Sequence, residues 1–171
     1  MAAMYDYAIA HAPDSPAFHA ELLAAADALT AGEPDPIANM ANVAALIWQL
    51  VPQLNWAGFY RLQPDAQGGD TLVLGPFCGR PACIRIPSGR GVCGAAAATG
   101  ESQLVPDVHA FPGHIACDAA SRSELVVPVK LDGRVIAVID LDSPQPDRFT
   151  PADQAGFEAL AAMLAPRIVE G

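Results

Sequence analysis

The chain has 171 residues, of which 52% are apolar and 16% are charged, so it is long enough for one domain with a sizeable core and does not resemble a disordered chain. Its net charge of −10, without any cluster of Lys and Arg, argues against nucleic acid and anionic membranes as partners. The first residues lack a secretory signal pattern, and no apolar run reaches the roughly 18 residues of a membrane span. We therefore expect a single cytoplasmic domain.

Two helices are predicted at the start of the chain. Asp14-Ser15-Pro16 and Asp35-Pro36 each supply a cap followed by a proline at the first helical position. The first helix should run to about Thr30 and end at Gly32, and the second should span Ile37 to about Leu50.

Alternating apolar residues and runs of aromatic and β-branched residues predict six strands. Two further segments show helical periodicity. The strands are expected at Trp56–Leu62, Thr71–Phe77, Ile84–Ile86, Gln103–Val105, Glu124–Leu131 and Val135–Leu141. A short helix is expected at Val92–Ala98, and Thr150-Pro151 opens a last helix over 151–168. This order predicts an α+β fold, an antiparallel sheet with helices on both faces.

All four cysteines lie between residues 75 and 123, a stretch that ends in a long loop. Gly89-Arg90-Gly91-Val92-Cys93-Gly94 fits the dinucleotide fingerprint, but the helix after it is too short for a βαβ unit. A tight glycine turn explains the motif better. It places Cys93 near a helix N-terminus, which favours a thiolate.

A zinc site is the second interpretation of this stretch. His109, His114 and Cys117 could bind zinc with Cys78, Cys83 or Cys93 as the fourth ligand. The cysteines are not arranged in the close pairs typical of structural zinc sites. We therefore expect no metal.

Asp140 and Asp142 alternate along a strand, so both carboxylates project from one face of the sheet. A two-residue turn at Asp132-Gly133 would place Glu124 on the opposite face. A three-residue loop over 131–133 would pair Glu124 with Asp140 and gather three carboxyls. We predict the three-residue loop, because clustered carboxyls hold one another's protons and suit a general acid beside a cation site.

Several motifs together resemble the free methionine-(R)-sulfoxide reductases, small stand-alone GAF-domain enzymes. The motifs are Asn55-Trp56-Ala57-Gly58-Phe59-Tyr60, Leu74-Gly75-Pro76-Phe77, Gly91-Val92-Cys93-Gly94, Asp107-Val108-His109, Gly113-His114-Ile115-Ala116-Cys117-Asp118 and Asp140-Leu141-Asp142-Ser143. The resemblance implies a single GAF domain over 1–171, with a six-stranded antiparallel sheet. It also implies that the protein reduces free methionine-(R)-sulfoxide to methionine, an oxidative stress repair reaction.

The resemblance also implies roles for individual residues. Its three cysteines fall on Cys83, Cys93 and Cys117, and its acidic pocket falls on Glu124, Asp140 and Asp142. Trp56 and Tyr60 would line the pocket. We choose Cys117 as the nucleophile, Cys83 as the resolving thiol and Cys93 as a support or alternative. Cys78 departs from the family and leaves open a disulfide with Cys83.

No cofactor is implied beyond an external dithiol, for which a thioredoxin-like protein is the expected partner. The resemblance is also compatible with a homodimer. Two alternatives stay open at this point. One is a non-catalytic GAF module that binds a small molecule as a sensor, and the other is the Cys/His zinc domain.

Overall fold

The computed structural model describes residues 7–115 and 118–169. Its helices are α1 (Pro16–Thr30), α2 (Pro36–Leu50), α3 (Gly91–Thr99) and α4 (Pro151–Leu164), and its strands are β1 (Trp56–Pro64), β2 (Asp70–Gly79), β3 (Arg85–Pro87), β4 (Gln103–Val105), β5 (Ser123–Leu131) and β6 (Arg134–Ser143). Short 3₁₀ turns at Val108–Ala110 and Ala165–Arg167 complete the described elements.

Three helices begin where the predicted caps place them. The side chains of Ser15, Asp35 and Thr150 accept hydrogen bonds from backbone N–H groups in the first turns of α1, α2 and α4. Thr150 and Asp153 form a full capping box. The predicted last helix is right in its start but regular only to Leu164, after which a 3₁₀ turn follows.

The six strands form one antiparallel sheet in the order β3-β2-β1-β6-β5-β4. The two three-residue strands lie at the edges, and the four long strands form the centre. The predicted α+β class and the six-stranded antiparallel sheet are therefore confirmed.

Helices cover both faces of the sheet and bury two separate apolar clusters. One cluster joins α1, α2 and α4 to side chains such as Phe59, Leu125 and Ile139. The other places α3 against Tyr60, Val126 and Val138, which alternate with the first set along the same strands. None of the helices in the described part of the chain combines the length and apolar character needed to cross a membrane.

The predicted three-residue loop between β5 and β6 is wrong. Leu131 pairs with Arg134 across a two-residue turn in which Asp132 and Gly133 have positive φ angles of 50° and 78°. A bulge follows at once, because Lys130 pairs with Val135 but Val129 pairs with Ala137.

The inserted residue of this bulge restores the face that the loop was expected to provide. Beyond it, Glu124 pairs with Asp142, and Val126 pairs with Asp140. Without the bulge, the two-residue turn would pair Glu124 with Leu141 and turn its side chain to the opposite face. The three carboxyls therefore lie on one face of the sheet because of this bulge, which the sequence does not predict.

Candidate active site

Glu124, Asp140 and Asp142 meet on the α3 face of the sheet and line one cavity. Glu124 lies directly opposite Asp142, and Asp140 is two residues away on the same strand. Glu124 and Asp140 are each only 6% exposed. Ionised carboxyls at such close range repel one another, so the ionisation of one raises the pKa values of its neighbours.

Cys93 approaches this cluster from α3. Its Sγ lies 3.9 Å from Glu124 Oε1, and the ligand atoms of Cys93, Glu124 and Asp140 all lie within 4.8 Å of one another. Among the described residues, Asp140 Oδ1 is buried and has no hydrogen-bond partner. The three groups could therefore hold one cationic group between them, either a metal ion or an ammonium.

Burial is the main cause of the raised pKa values of the three carboxyls. It raises the pKa of Asp140 to about 6, and burial together with the neighbouring carboxylates raises the pKa values of Glu124 and Asp142 well above their usual ranges. Asp140 therefore ionises first, and its charge keeps protons on the other two carboxyls. Burial and like charge therefore favour a state in which one carboxyl of the cluster is ionised and its neighbours hold protons.

The position of Cys93 does not give it the thiolate character expected from a helix N-terminus. Burial, followed by the charges of Asp140 and Glu124, raises its pKa well above the usual value. Burial and the two carboxyls together outweigh the helix dipole, whose effect on a side chain is modest. The expectation of a low-pKa Cys93 is therefore wrong.

Two aromatic side chains of β1, Trp56 and Tyr60, form one wall of the site. The Trp56 ring stacks on Tyr60 and on Phe77, with centroid separations of 5.7 and 5.2 Å. Gly58 lies between the first two on β1, opposite Asp140. A Cβ at Gly58 would lie 2.4 Å from Phe77 Cβ, so only glycine allows this approach of β2. The wall offers an apolar surface above the carboxyls.

The same aromatic residues fix the segment that carries Cys83. Trp56 Nε1–H donates to the Arg80 carbonyl oxygen at 3.1 Å, and the Tyr60 hydroxyl donates to the Cys83 carbonyl oxygen at 3.1 Å. Cys83 is disulfide-bonded, whereas Cys78 carries a free thiol. The alternative Cys78–Cys83 disulfide is therefore absent. Cys117, the predicted nucleophile, lies outside the described residues.

The chain is similar over most of its length to a domain family and to named enzymes. The GAF domain model matches residues 36–168. The free methionine-R-sulfoxide reductase of Escherichia coli is 50% identical over 147 residues, which is 86% of this chain and 86% of that protein. The yeast (Saccharomyces cerevisiae) protein of the same name is 43% identical over 149 residues, 84% of this chain and 82% of its own.

The chain belongs to the free methionine-R-sulfoxide reductase family. A solved structure of the Neisseria meningitidis reductase in complex with its substrate superposes with a TM-score of 0.88, at 43% identity, over 96% of each chain. The reduced form of the Staphylococcus aureus enzyme gives 0.82 at 42% identity, covering 88% of this chain and 95% of that one. The family predicted from the sequence motifs is thus confirmed.

The two histidines considered as zinc ligands occupy different places in the structure. His114, considered as a zinc ligand, lines the cavity, and its Nε2 lies 4.0 Å from Glu124 Oε2. Burial lowers its pKa, which favours the neutral imidazole. His109 is not a cavity residue and instead contacts Asp107 through Nδ1 at 3.0 Å. Among the described residues, the candidate zinc ligands His109 and His114 belong to no group of three or more His, Cys, Asp or Glu side chains that could hold a metal ion.

A polar group of Asn55, Asp118 and Ser121 adjoins the carboxyl cluster, because the Ser121 side chain hydrogen-bonds with Asp142. Asn55 Nδ2 donates to Asp118 Oδ2 at 3.1 Å and to Ser121 Oγ at 3.0 Å. Both acceptors line the cavity. Asn55 and Asp118 lay inside the quoted motifs, but the spacing of short polar residues in a loop did not indicate that they would meet.

Proposed function

We propose that this protein reduces free methionine-(R)-sulfoxide to methionine in the cytoplasm, with a dithiol as its only reductant. The observation that carries the proposal is that one buried cluster contains both an anionic carboxyl and a proton-donating carboxyl. Asp140, with a pKa of about 6, is the anion, and Glu124 retains a proton. A free amino acid sulfoxide needs both an anionic partner for its ammonium and a proton donor for its oxygen.

The chemistry follows from these two functions. The Cys117 thiolate attacks the electrophilic sulfur while Glu124 donates a proton to the sulfoxide oxygen. The attack forms a transient bond between the two sulfurs; the oxygen, now a hydroxyl, then passes from the methionine sulfur to the cysteine sulfur as this S–S bond breaks. Methionine leaves as the thioether, and Cys117 is left as a sulfenic acid. Asp140 is the anionic partner of the substrate ammonium, Asp142 offers a further oxygen ligand beside it, and the wall of Trp56 and Tyr60 receives the methyl group and side chain.

The resolving step removes the sulfenic acid. The Cys83 thiol attacks the Cys117 sulfenic sulfur, which gives a disulfide and releases water. Tyr60 supports this role, because its hydroxyl bonds to the Cys83 carbonyl oxygen and links the substrate wall to the resolving thiol. Cys93, buried and with a raised pKa, suits support of Glu124 better than nucleophilic attack.

The direct test supplies the protein with free methionine-(R)-sulfoxide and dithiothreitol and quantifies methionine. We expect turnover with this substrate and little with the (S) epimer or with N-acetylmethionine-(R)-sulfoxide, whose amide cannot pair with Asp140. Equal rates with the free and N-acetylated substrates would refute the assignment of the acidic cluster to the ammonium.

The same assay separates the proposal from a non-catalytic GAF sensor. A sensor would bind methionine-(R)-sulfoxide, measurable by calorimetry, without forming methionine. The Asp140→Asn protein provides the matched control, because the proposal requires it to lose affinity for the free amino acid while the N-acetylated compound is affected little.

A further inference from the structure

The charge of this acidic protein is not uniform along the chain. Between Asp70 and Glu101 there is no acidic residue, and three of the nine cationic residues lie there. These are Arg80, Arg85 and Arg90, all exposed. Arg80 Nη1 lies 3.7 Å from Asp118 Oδ1, whereas Arg85 and Arg90 form no ion pair with another described residue. The segment 71–100 is therefore locally positive in a protein of net charge −10.

An exposed apolar side chain lies within this positive segment of the chain. Ile84 is 71% exposed, the largest fraction among the large apolar side chains reported as exposed in the described chain, where the others are near 42%. It follows the disulfide-bonded Cys83 directly and precedes β3, which among the described strands pairs with β2 alone and forms one edge of the sheet. Large apolar side chains this exposed mark contact sites when they are rimmed by polar groups.

We propose that Arg80, Ile84, Arg85 and Arg90, here called the Cys83 rim, form the docking surface for a protein dithiol reductant with an acidic face around its reactive thiol. Ile84 inserts into an apolar depression beside that thiol, and the arginines face its acidic rim. The inference rests on the proposed function, because it concerns the step that resets the enzyme.

The exchange balances as a two-electron transfer. A thiolate of the reductant attacks the Cys83 sulfur, forms a mixed disulfide and releases the other enzyme cysteine as a thiolate that takes up a proton. The second thiol of the reductant then attacks its own partner sulfur and frees Cys83. The reductant ends as a disulfide, and both enzyme cysteines end as thiols.

Two reductants separate docking from chemistry. A thioredoxin with its NADPH-dependent reductase requires the rim, while dithiothreitol is too small to use it. For Ile84→Ser we expect kcat/KM for thioredoxin to fall about tenfold, the value of one large apolar contact, with methionine formation unchanged under dithiothreitol. Ile37→Ser is the matched control, since Ile37 is 43% exposed on α2 and should change neither rate.

Charge reversal gives an independent measurement. Arg85→Glu should lower kcat/KM for thioredoxin about tenfold at low salt and flatten its decline as ionic strength rises. Arg134→Glu, exposed at the β5–β6 turn, is the matched control and should keep both values.

The outcomes distinguish the two proposals. Unchanged thioredoxin kinetics in Ile84→Ser and Arg85→Glu would overturn the docking surface, as would equal losses with both reductants or a wild-type protein that works with dithiothreitol but not with thioredoxin. A wild-type protein that forms no methionine with dithiothreitol would instead refute the proposed function.

Discussion

The charge of Asp140 should make the protein less stable while it makes the site functional. Burial raises the pKa of this carboxyl from 3.8 to about 6. A difference of about two in pKa corresponds to roughly 3 kcal/mol between the folded and unfolded states. Because the folded pKa is the higher one, the folded state holds the proton more tightly. This stabilisation is fully present below about pH 4 and is lost as pH rises through about 6.

Replacing the Asp140 carboxyl by an amide removes the loss of stability that its ionisation causes at higher pH. We expect Asp140→Asn to raise the free energy of unfolding by about 1–3 kcal/mol at pH 7.5, where the wild-type group is ionised, and by much less at pH 5. Urea denaturation at the two pH values measures both differences. The same variant should show a higher KM for methionine sulfoxide, because the ammonium loses its anionic partner.

Asp118 provides a control of opposite sign. Its hydrogen bond from the Ala120 N–H, together with the bond from Asn55, lowers its pKa. Its stabilisation is therefore present at neutral pH and is lost as pH falls, so Asp118→Asn should destabilise the fold at pH 7.5. If Asp140→Asn were no more stable than the wild type at pH 7.5, or were stabilised equally at both pH values, the reasoning would be refuted.

Four further substitutions test other parts of the site. Glu124→Gln removes the proposed proton donor and should slow turnover at least a hundredfold in the methionine assay, with the fold intact by circular dichroism. Without reductant, Cys117→Ser should release no methionine, while Cys83→Ser should release about one equivalent and leave a sulfenic acid that dimedone labels. Gly58→Ala should lower the melting temperature, through a loss of about 2 kcal/mol or more, since the new Cβ meets Phe77 Cβ at 2.4 Å. A melting curve like that of the wild type would show that β2 can yield there.

The helix starts were predictable because each is specified by a few neighbouring residues. Ser15, Asp35 and Thr150 combine a side-chain acceptor with a following proline, and these signals need no information from distant parts of the chain. The paired strands were predictable for a similar reason, since alternation and turn residues are local patterns.

The register of β5 on β6 was not predictable in the same way. Asp132-Gly133 correctly indicates a tight turn, but nothing in the sequence of Val129 and Lys130 marks the bulge beside it. A shift by one residue reverses every side chain, and two different shifts give the same face. The shared face of Glu124, Asp140 and Asp142 was therefore reached through the wrong pairing.

The pKa of Cys93 depends on packing that the sequence does not reveal. A position near a helix N-terminus is visible in the motif, and it favours a thiolate. The distance of 3.9 Å between Cys93 Sγ and Glu124 Oε1 joins residues 31 apart in the chain, and the resulting burial and charge have the larger effect. The inclusion of His114 in the cavity is a tertiary feature of the same kind.

The two apolar clusters divide the molecule into parts with different mechanical roles. α1, α2 and α4 pack on one side of the sheet, and the shorter α3, with the cavity residues, packs on the other. Amides of α3 and of the loop after it should exchange with deuterium through partial openings that leave the three-helix side closed. The sheet therefore separates mutations that change the shape of the cavity from the larger apolar cluster formed by α1, α2 and α4. Such mutations can alter ligand binding while that cluster keeps the protein folded.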